Sequence, residues 1–262
     1  MFTELSARDV HECHQIAGRC RDLGADLDAW RNQLLNELRT IVDAQVIISS
    51  EIEHFGASHE QETRYLGTHR DGWISNDAEK RWREYAQTIP VERTPEYPYL
   101  SKFSGETLVL SRDQIWGRET WYRSHTFNEI HRECGIDDYI ISVCPTTIPD
   151  RCTTLWLHKG VGSRDFSPRE HAIVSLLHMI INREIGSYLA AADEPQLSTL
   201  TKRRLEVLER LLMGDSEKQI AYHFDVGRAT IHDHVLAIYR HFKVSSRGEL
   251  LSMFIGRARP RT

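Results

Sequence analysis

The sequence predicts an α+β chain in two parts: an N-terminal α/β domain on a mainly antiparallel sheet, then a small all-α domain of four helices. Three observations carry this. Short β-rich runs, VIISSEIEHF (46–55), ETLVLS (106–111), DYIISVCP (138–145) and CTTLWLHKG (152–160), alternate with amphipathic stretches in the first part. After residue 200 no strand pattern remains, and apolar residues recur at helical spacing. Charge divides at the same place. Residues 200–262 hold 12 Lys/Arg against 7 Asp/Glu, a net of +5, whereas the remainder holds 21 against 31, a net of −10. An acidic body with a basic tail domain is what a nucleic-acid module joined to something else looks like.

The elements follow in order. Ser6 is a plausible cap for a first helical stretch. Leu27, Trp30, Leu34, Leu35, Leu38, Ile41 and Val42 mark an amphipathic second helix. Val46 to Phe55 reads as a strand. Thr63 to Ile74 is ambiguous, with a turn at Asp71-Gly72. Asn76 to Thr88 reads as helix and carries Trp82 and Tyr85, whereas 91–106 reads as loop. Glu106 to Ser111 is a short strand, and TWYRSHTFNEIHRECGI is expected to be one helix ending near Gly135. Asp138 to Pro145 and Cys152 to Gly160 form a pair of strands joined by an antiparallel connection. Ser167, Pro168 and Glu170 then spell a capping box with proline at the first helical position. Ile173, Val174, Leu177, Ile180, Ile181, Ile185 and Tyr188 predict a helix of about six turns, Pro168 to Ala191. ADEPQLST breaks it. The expected domains are 1–192 (regulatory and dimerising), a linker at 193–198, and 199–262 (DNA-binding).

Bulk properties narrow the class. A chain of 262 residues has room for two cores, and 40% hydrophobic with 27% charged residues excludes disordered and fibrous classes. No apolar run approaches the ~20 residues that span a bilayer. MFTELSARDVHECHQ lacks the basic-then-apolar order of a signal peptide. The expected location is the cytoplasm, with no membrane partner. The five cysteines (Cys13, Cys20, Cys134, Cys144, Cys152) are odd in number and scattered, so neither a disulfide framework nor a redox pair is expected. Cys13 and Cys20, with His11 and His14 nearby, are two helical turns apart and close a tetrahedral site poorly, so no metal and no cofactor is predicted. G-x-S-x-G, H-E-x-x-H and a P-loop are missing, so the expectation is not an enzyme.

The last part is the most legible. A first helix spans about Lys202 to Met213 and stops at Gly214; Ser216 caps a short second one; Asp225-Val226-Gly227 is a tight turn. The third helix runs from about Arg228 to His241, with Ile231, Val235, Ile238 and Phe242 inward, and Ser245 or Ser246 caps a fourth holding Leu250, Leu251 and Phe254. Short helix, turn, longer helix is the helix-turn-helix arrangement, whose second member lies in the DNA major groove; a plain four-helix bundle is the alternative. Lys218 and Arg228 sit near helix starts and can reach phosphates, which supply position and salt-dependent affinity. Thr230 can bond a phosphate or its own backbone. His232, Asp233, Leu236 and Arg240 lie off the inner stripe and form the groove-facing set: Asp233 can accept from a cytosine amino group, and Leu236 can touch a thymine methyl. His234 reads as structural. A phosphate at His232 would make binding strengthen below the pKa of a free histidine, about 6.5.

The segment from Leu200 to Leu251 resembles the DNA-binding domain of LuxR-type (GerE-like) transcriptional regulators. The resemblance rests on Leu200-Thr201, Glu206-Val207-Leu208, Gly214, Ser216, Lys218-Gln219-Ile220-Ala221, Ala229-Thr230-Ile231, His234-Val235, Val244, Ser246-Arg247 and Glu249-Leu250. It implies a domain that binds double-stranded promoter DNA, usually as a homodimer, with Arg247, one of the matched positions, expected among the DNA-binding residues and Glu206 a structural acid. His232 and Leu236 stand where many members carry lysine or another base. That departure bears on the target sequence and the strength of binding, not on the fold.

Upstream, the run from Trp121 to Leu177 resembles GAF-like or PAS-like sensory domains, which implies a small-molecule pocket over the sheet. All six tryptophans fall in this part. Trp73, Trp82, Trp116 and Trp121 are the candidates to line such a pocket, with plain core as the alternative for each. An acyl-homoserine-lactone domain and a ligand-free domain that only dimerises are the other readings. A phosphorylation receiver is excluded because the early acidic cluster at strand ends is missing. The expected long helix from Pro168 is a candidate dimer element, since one reading helix covers only a half-site.

Overall fold

Hydrophobic alternation along three strands gives a sheet with two unlike faces. The computed structural model describes residues 4–24, 26–55, 63–89, 93–192, 200–242 and 244–255. They divide into two compact units, Met1–Asp193 and Glu194–Thr262; the expected linker, 193–198, lies outside the described residues.

The first unit begins with helices α1 (Ala7–Leu23) and α2 (Leu27–Ile41), capped by Ser6 and Asp26. Strands β1 (Val46–Glu53) and β2 (Arg64–Asp71) follow, then helix α3 (Asn76–Thr88) and a single turn, α4 (Tyr97–Leu100). The ambiguous stretch from Thr63 is therefore a strand, paired antiparallel to β1. Gly72 ends it with φ +92°, and a Cβ there would lie 1.8 Å from the Gln45 carbonyl oxygen, so no side chain fits. Next come β3 (Leu108–Ser111), the short α5 (Arg112–Ile115), α6 (Arg118–Arg123), β4 (Ile136–Pro145), β5 (Arg151–Gly160) and α7 (Pro168–Asn182). The sheet order is β2-β1-β5-β4-β3, every pair antiparallel.

Two expected helices are corrected. The helix expected from Thr120 to Gly135 is broken at Ser124, whose backbone is extended and whose hydroxyl accepts from the Phe127 amide. A π-helical turn, Thr126–His131, follows instead. The six-turn helix from Pro168 stops at Asn182 after about four turns. Gly186, at φ +81°, lies in the left-handed region, and Ile185 pairs with Leu189 across it. Ile181, Ile185 and Leu189 are buried in the helix-side core, so the apolar stripe covers the sheet; Tyr188 alone of that set stays 63% exposed.

One face of the sheet is covered by α1, α2 and α7. Ile47 from β1, Ile140 from β4, and Leu155 and Leu157 from β5 meet Trp30, Leu34, Leu38, Ile173 and Leu177 there. The same face also buries polar groups, several of which hold one another. Arg31 donates to Ser49 and Glu51, and Arg151 also pairs with Glu51. Asn182 donates its amide to the Cys144 carbonyl, which turns its own oxygen toward the Thr153 hydroxyl at 2.7 Å. Thr153 must then accept from His178 Nε2 at 2.6 Å, which leaves Nδ1 to accept from Ser142. Burial, with the Arg31 charge nearby, holds the His178 pKa down at about 3, so the ring is neutral, as this chain of bonds requires.

Lys159, on the central strand, is buried and donates to the carbonyls of Val42 and Asp43 and to Glu170 at 3.0 Å. Glu170 is also the capping-box acid of α7. Burial opposes its ionisation, but hydrogen bonds from Arg164, the Ser167 amide and Lys159 outweigh that and hold its pKa at about 2, against an ordinary 4.5. The folded value is the lower one. The ionised pair therefore stabilises the fold fully above about pH 4.5, and its contribution, of order 3 kcal/mol, is lost as pH falls toward 2. All six tryptophans lie in the first unit, so urea unfolding followed by tryptophan fluorescence reads that unit alone. Glu170→Gln is expected to lower its stability by about 3 kcal/mol at pH 7 and to track the wild type increasingly closely below pH 4. A gap that stays constant from pH 7 to pH 3 excludes the ionised pair as its source.

Candidate nucleic-acid interface and candidate ligand site

In the second unit the amphipathic pattern gives α8 (Lys202–Leu212), α9 (Glu217–Phe224), α10 (Arg228–Phe242) and α11 (Arg247–Ile255). Thr201 caps α8, and Ser216 with Gln219 forms a capping box on α9. Gly214, at φ +102°, ends the first of these helices as expected. The turn after α9 is made by Asp225 in the left-handed region, φ +52°, a conformation short polar side chains tolerate. Ile231, Val235, Ile238 and Phe242 are buried against Val207, Leu208, Leu211, Ile220 and Leu250. The inner stripe of α10 is thus fixed, and the opposite face is fixed with it.

That outer face collects most of the candidate DNA residues. Arg228, Thr230, His232, Asp233, Leu236 and Arg240 are all exposed on α10, and Lys218 is exposed in the first turn of α9. Leu236 is 41% exposed. Arg240 bends back to donate to the Leu236 carbonyl at 3.3 Å. His234 is half-buried beside the stripe. Arg247 is placed differently from the other cations: its two terminal nitrogens donate to the carbonyls of Asp215 and Leu211, tying α11 to the end of α8. It serves the fold of this unit. Sequence reasoning missed Glu217. Its carboxylate lies 3.2 Å from His232 Nδ1 and 3.8 Å from Arg228 Nε. An acid in the first turn of a helix reads simply as a complement to the helix dipole, which hides a contact with a neighbouring helix.

The other face of the first unit's sheet holds the tryptophan candidates. Trp121 is fully buried and donates to Asp137 at 2.8 Å; Trp116 donates to the Tyr139 hydroxyl at 3.0 Å, which in turn donates to Glu96 at 2.6 Å. Trp73 and Trp82 stack with centroids 6.0 Å apart. The four are thus brought to one side of the sheet, in two adjoining clusters. Sequence reasoning missed the two histidines between them. His131, seated by the π-helical turn, and His158 on β5 lie 5.7 Å apart, with the edge of Trp82 against both rings. The Thr126 carbonyl accepts from His131 Nδ1. Neither ring nitrogen of His158 has a partner among the described residues. Burial, and then the neighbouring His131, hold the His158 pKa well below its ordinary value. A neutral imidazole buried without its two hydrogen bonds is costly, by about 1–3 kcal/mol per group. The detectable signal was the period of two: His158 shares a face with Trp156.

Comparison with known proteins agrees with the second unit's geometry. Residues 198–254 match the family described as bacterial regulatory proteins, luxR family. The glycerol metabolism activator of Pseudomonas putida is 47% identical over 51 residues; the match spans 20% of this chain and 23% of that relative. Among solved structures, SdiA in complex with octanoyl-rac-glycerol aligns over 88% of this chain and 96% of its own, at 12% identity and a TM-score of 0.37. A crystal structure of Escherichia coli SdiA aligns over 88% and 98%, at 12% identity and a TM-score of 0.35. The segment that matches this family, 198–254, contains all four helices of the second unit, with α9 and α10 in the helix-turn-helix positions.

Proposed function

We propose that the whole chain is a transcriptional regulator that binds double-stranded DNA in the cytoplasm as a homodimer, with the first unit responding to a small ligand. One observation carries the reading: the outer face of α10 presents Arg228, Thr230, His232, Asp233 and Leu236 together to solvent, on the second helix of a helix-turn-helix. Arg228 and Lys218 position the domain on phosphates, while Asp233 and Leu236 meet base edges. A homodimer suits this reading, because one α10 spans only a half-site. α7 buries its apolar stripe against the sheet, so any part it takes in the dimer uses its remaining side.

Duplexes selected from a random library provide the test. Wild-type affinity is expected to fall linearly with the logarithm of salt concentration. Arg228→Ala and Lys218→Ala should each weaken binding and flatten that slope by about 0.9 per subunit bound. Asp233→Ala should leave the slope alone and change the selected sequence. Slopes unaffected by either cation substitution would remove the phosphate roles.

For the first unit, the orphaned His158 ring supports a ligand whose polar group pairs with it beneath Trp82. Protein purified from its own host should then carry a bound small molecule in native mass spectrometry, and His158→Phe should lose it. The same substitution should stabilise the ligand-free protein by about 1 kcal/mol in tryptophan-monitored urea unfolding, since it deletes two unmet polar groups. Protein that emerges from its host with no bound mass sinks the ligand reading and leaves a domain that only dimerises.

A further inference from the structure

We propose that Glu217 is an affinity-determining acid built into the DNA-binding face, a carboxylate that competes with phosphate for Arg228 and His232 at the start of α10. The inference rests on the DNA-binding reading above. Glu217 is the first residue of α9, fixed by the Ser216–Gln219 capping box beside it. From there its two oxygens reach across to the neighbouring helix: Oε1 lies 3.2 Å from His232 Nδ1 and Oε2 lies 3.8 Å from Arg228 Nε. Those are the two groups of α10's first turns best suited to a phosphate. Their side chains remain 54% and 75% exposed, whereas that of Glu217 is 25% exposed. The acid is thus the more buried member of the set, and Arg228 and His232 are the more exposed ones.

Two consequences follow from elementary electrostatics. A phosphate approaching Arg228 must replace a carboxylate already beside it, so fewer counterions are released per contact formed. The carboxylate then lies near the phosphate, where like charges repel at close range. The second unit is basic overall, so Glu217 tempers its attraction for DNA of any sequence and leaves discrimination to Asp233 and Leu236.

The test uses the full chain and a fluorescein-labelled duplex of one arbitrary sequence, about 30 bp long, titrated by anisotropy across a salt series from about 50 mM KCl. Glu217→Gln keeps the shape and the capping box and removes the charge. It is expected to tighten binding about three- to tenfold at the lowest salt and to steepen the salt slope by up to about one unit. Glu209→Gln, on the exposed side of α8, removes the same charge elsewhere and should change binding less. In an Arg228→Ala background the gain from Glu217→Gln should fall by at least half. Equal gains from Glu217→Gln and Glu209→Gln, or an equal gain with and without Arg228, would overturn the proposal and reduce Glu217 to net charge. Weaker binding by Glu217→Gln, with its melting unchanged, would also overturn it and make Glu217 an orienting group for His232. In each of these cases the wild type still binds with a salt slope and the DNA-binding reading survives. A wild type that binds neither this duplex nor the selected ones, at any salt, ends both.

Discussion

The contact on which the first unit turns is the one between Lys159 and Glu170. Lys159 sits on β5, the central strand of five, and points to the helix side. Its ammonium has three protons, and all three are used: two on the carbonyls of Val42 and Asp43 where α2 ends, one on Glu170 where α7 begins. A charge buried this deeply is tolerable only with each donor met. The requirement fixes the end of one helix and the start of another against the same strand. Glu170 is already committed to the Ser167 amide and to Arg164, so the entry of α7 cannot shift without unsatisfying Lys159. The register of α7 then sets His178 over Ser142 and Thr153, and Asn182 over Cys144.

Because β1, β4 and β5 are covered on both sides, their alternation separates two chemistries. The helix side is closed: its polar groups are charges and hydroxyls that largely satisfy one another. The aromatic side is built from α3, the short helices and the π-helical turn, and it is there that His158 stands without a hydrogen-bond partner among the described residues. The same contrast explains the tryptophans. Trp30 faces the helices and is plain core, whereas Trp73, Trp82, Trp116 and Trp121 all lie across the sheet from it.

Much of this was legible in the sequence, and the limits have physical causes. Caps were readable because they are local: Ser6, Ser167, Ser216 and Gly214 act within four residues of themselves. The strands around 46, 138 and 152 were readable as β-rich runs, and the α10 stripe as a period near 3.6. The second half of the expected long helix failed because apolar residues at helical spacing also suit a segment that leaves a helix and stays on the same core. Gly186 was the stop signal. The helix expected up to Gly135 failed at Ser124, which caps the next segment as readily as it continues a helix. β2 was obscured because RYLGTHRD lies on an edge with only one neighbour and little of it is buried. Of the site, the α10 residues were legible, since fixing the inner stripe fixes the outer face. His158, Glu96 and Glu217 were not, because each matters through a partner distant in sequence.

The two cations that open α10 show how far a face can be read from one helix alone. By its own residues α10 presents Arg228 and His232 as ready phosphate ligands, with Leu236 as a neutral neighbour. The turn at Asp225 brings the start of α9 alongside, and with it a carboxylate that shares both groups. The short α9 is thus more than a spacer that holds its partner at the right angle. Its buried side, Ile220 and Ala221, sets the crossing of the two helices, and that crossing decides that the side chain at 217 reaches residues 228 and 232. Packing inside the domain therefore writes part of the charge pattern outside it. On the DNA-binding reading proposed above, a helix-turn-helix whose reading helix lacks lysine, and whose first arginine already faces a carboxylate, depends on shape and base contacts for more of its binding than the net charge of +5 over residues 200–262 suggests.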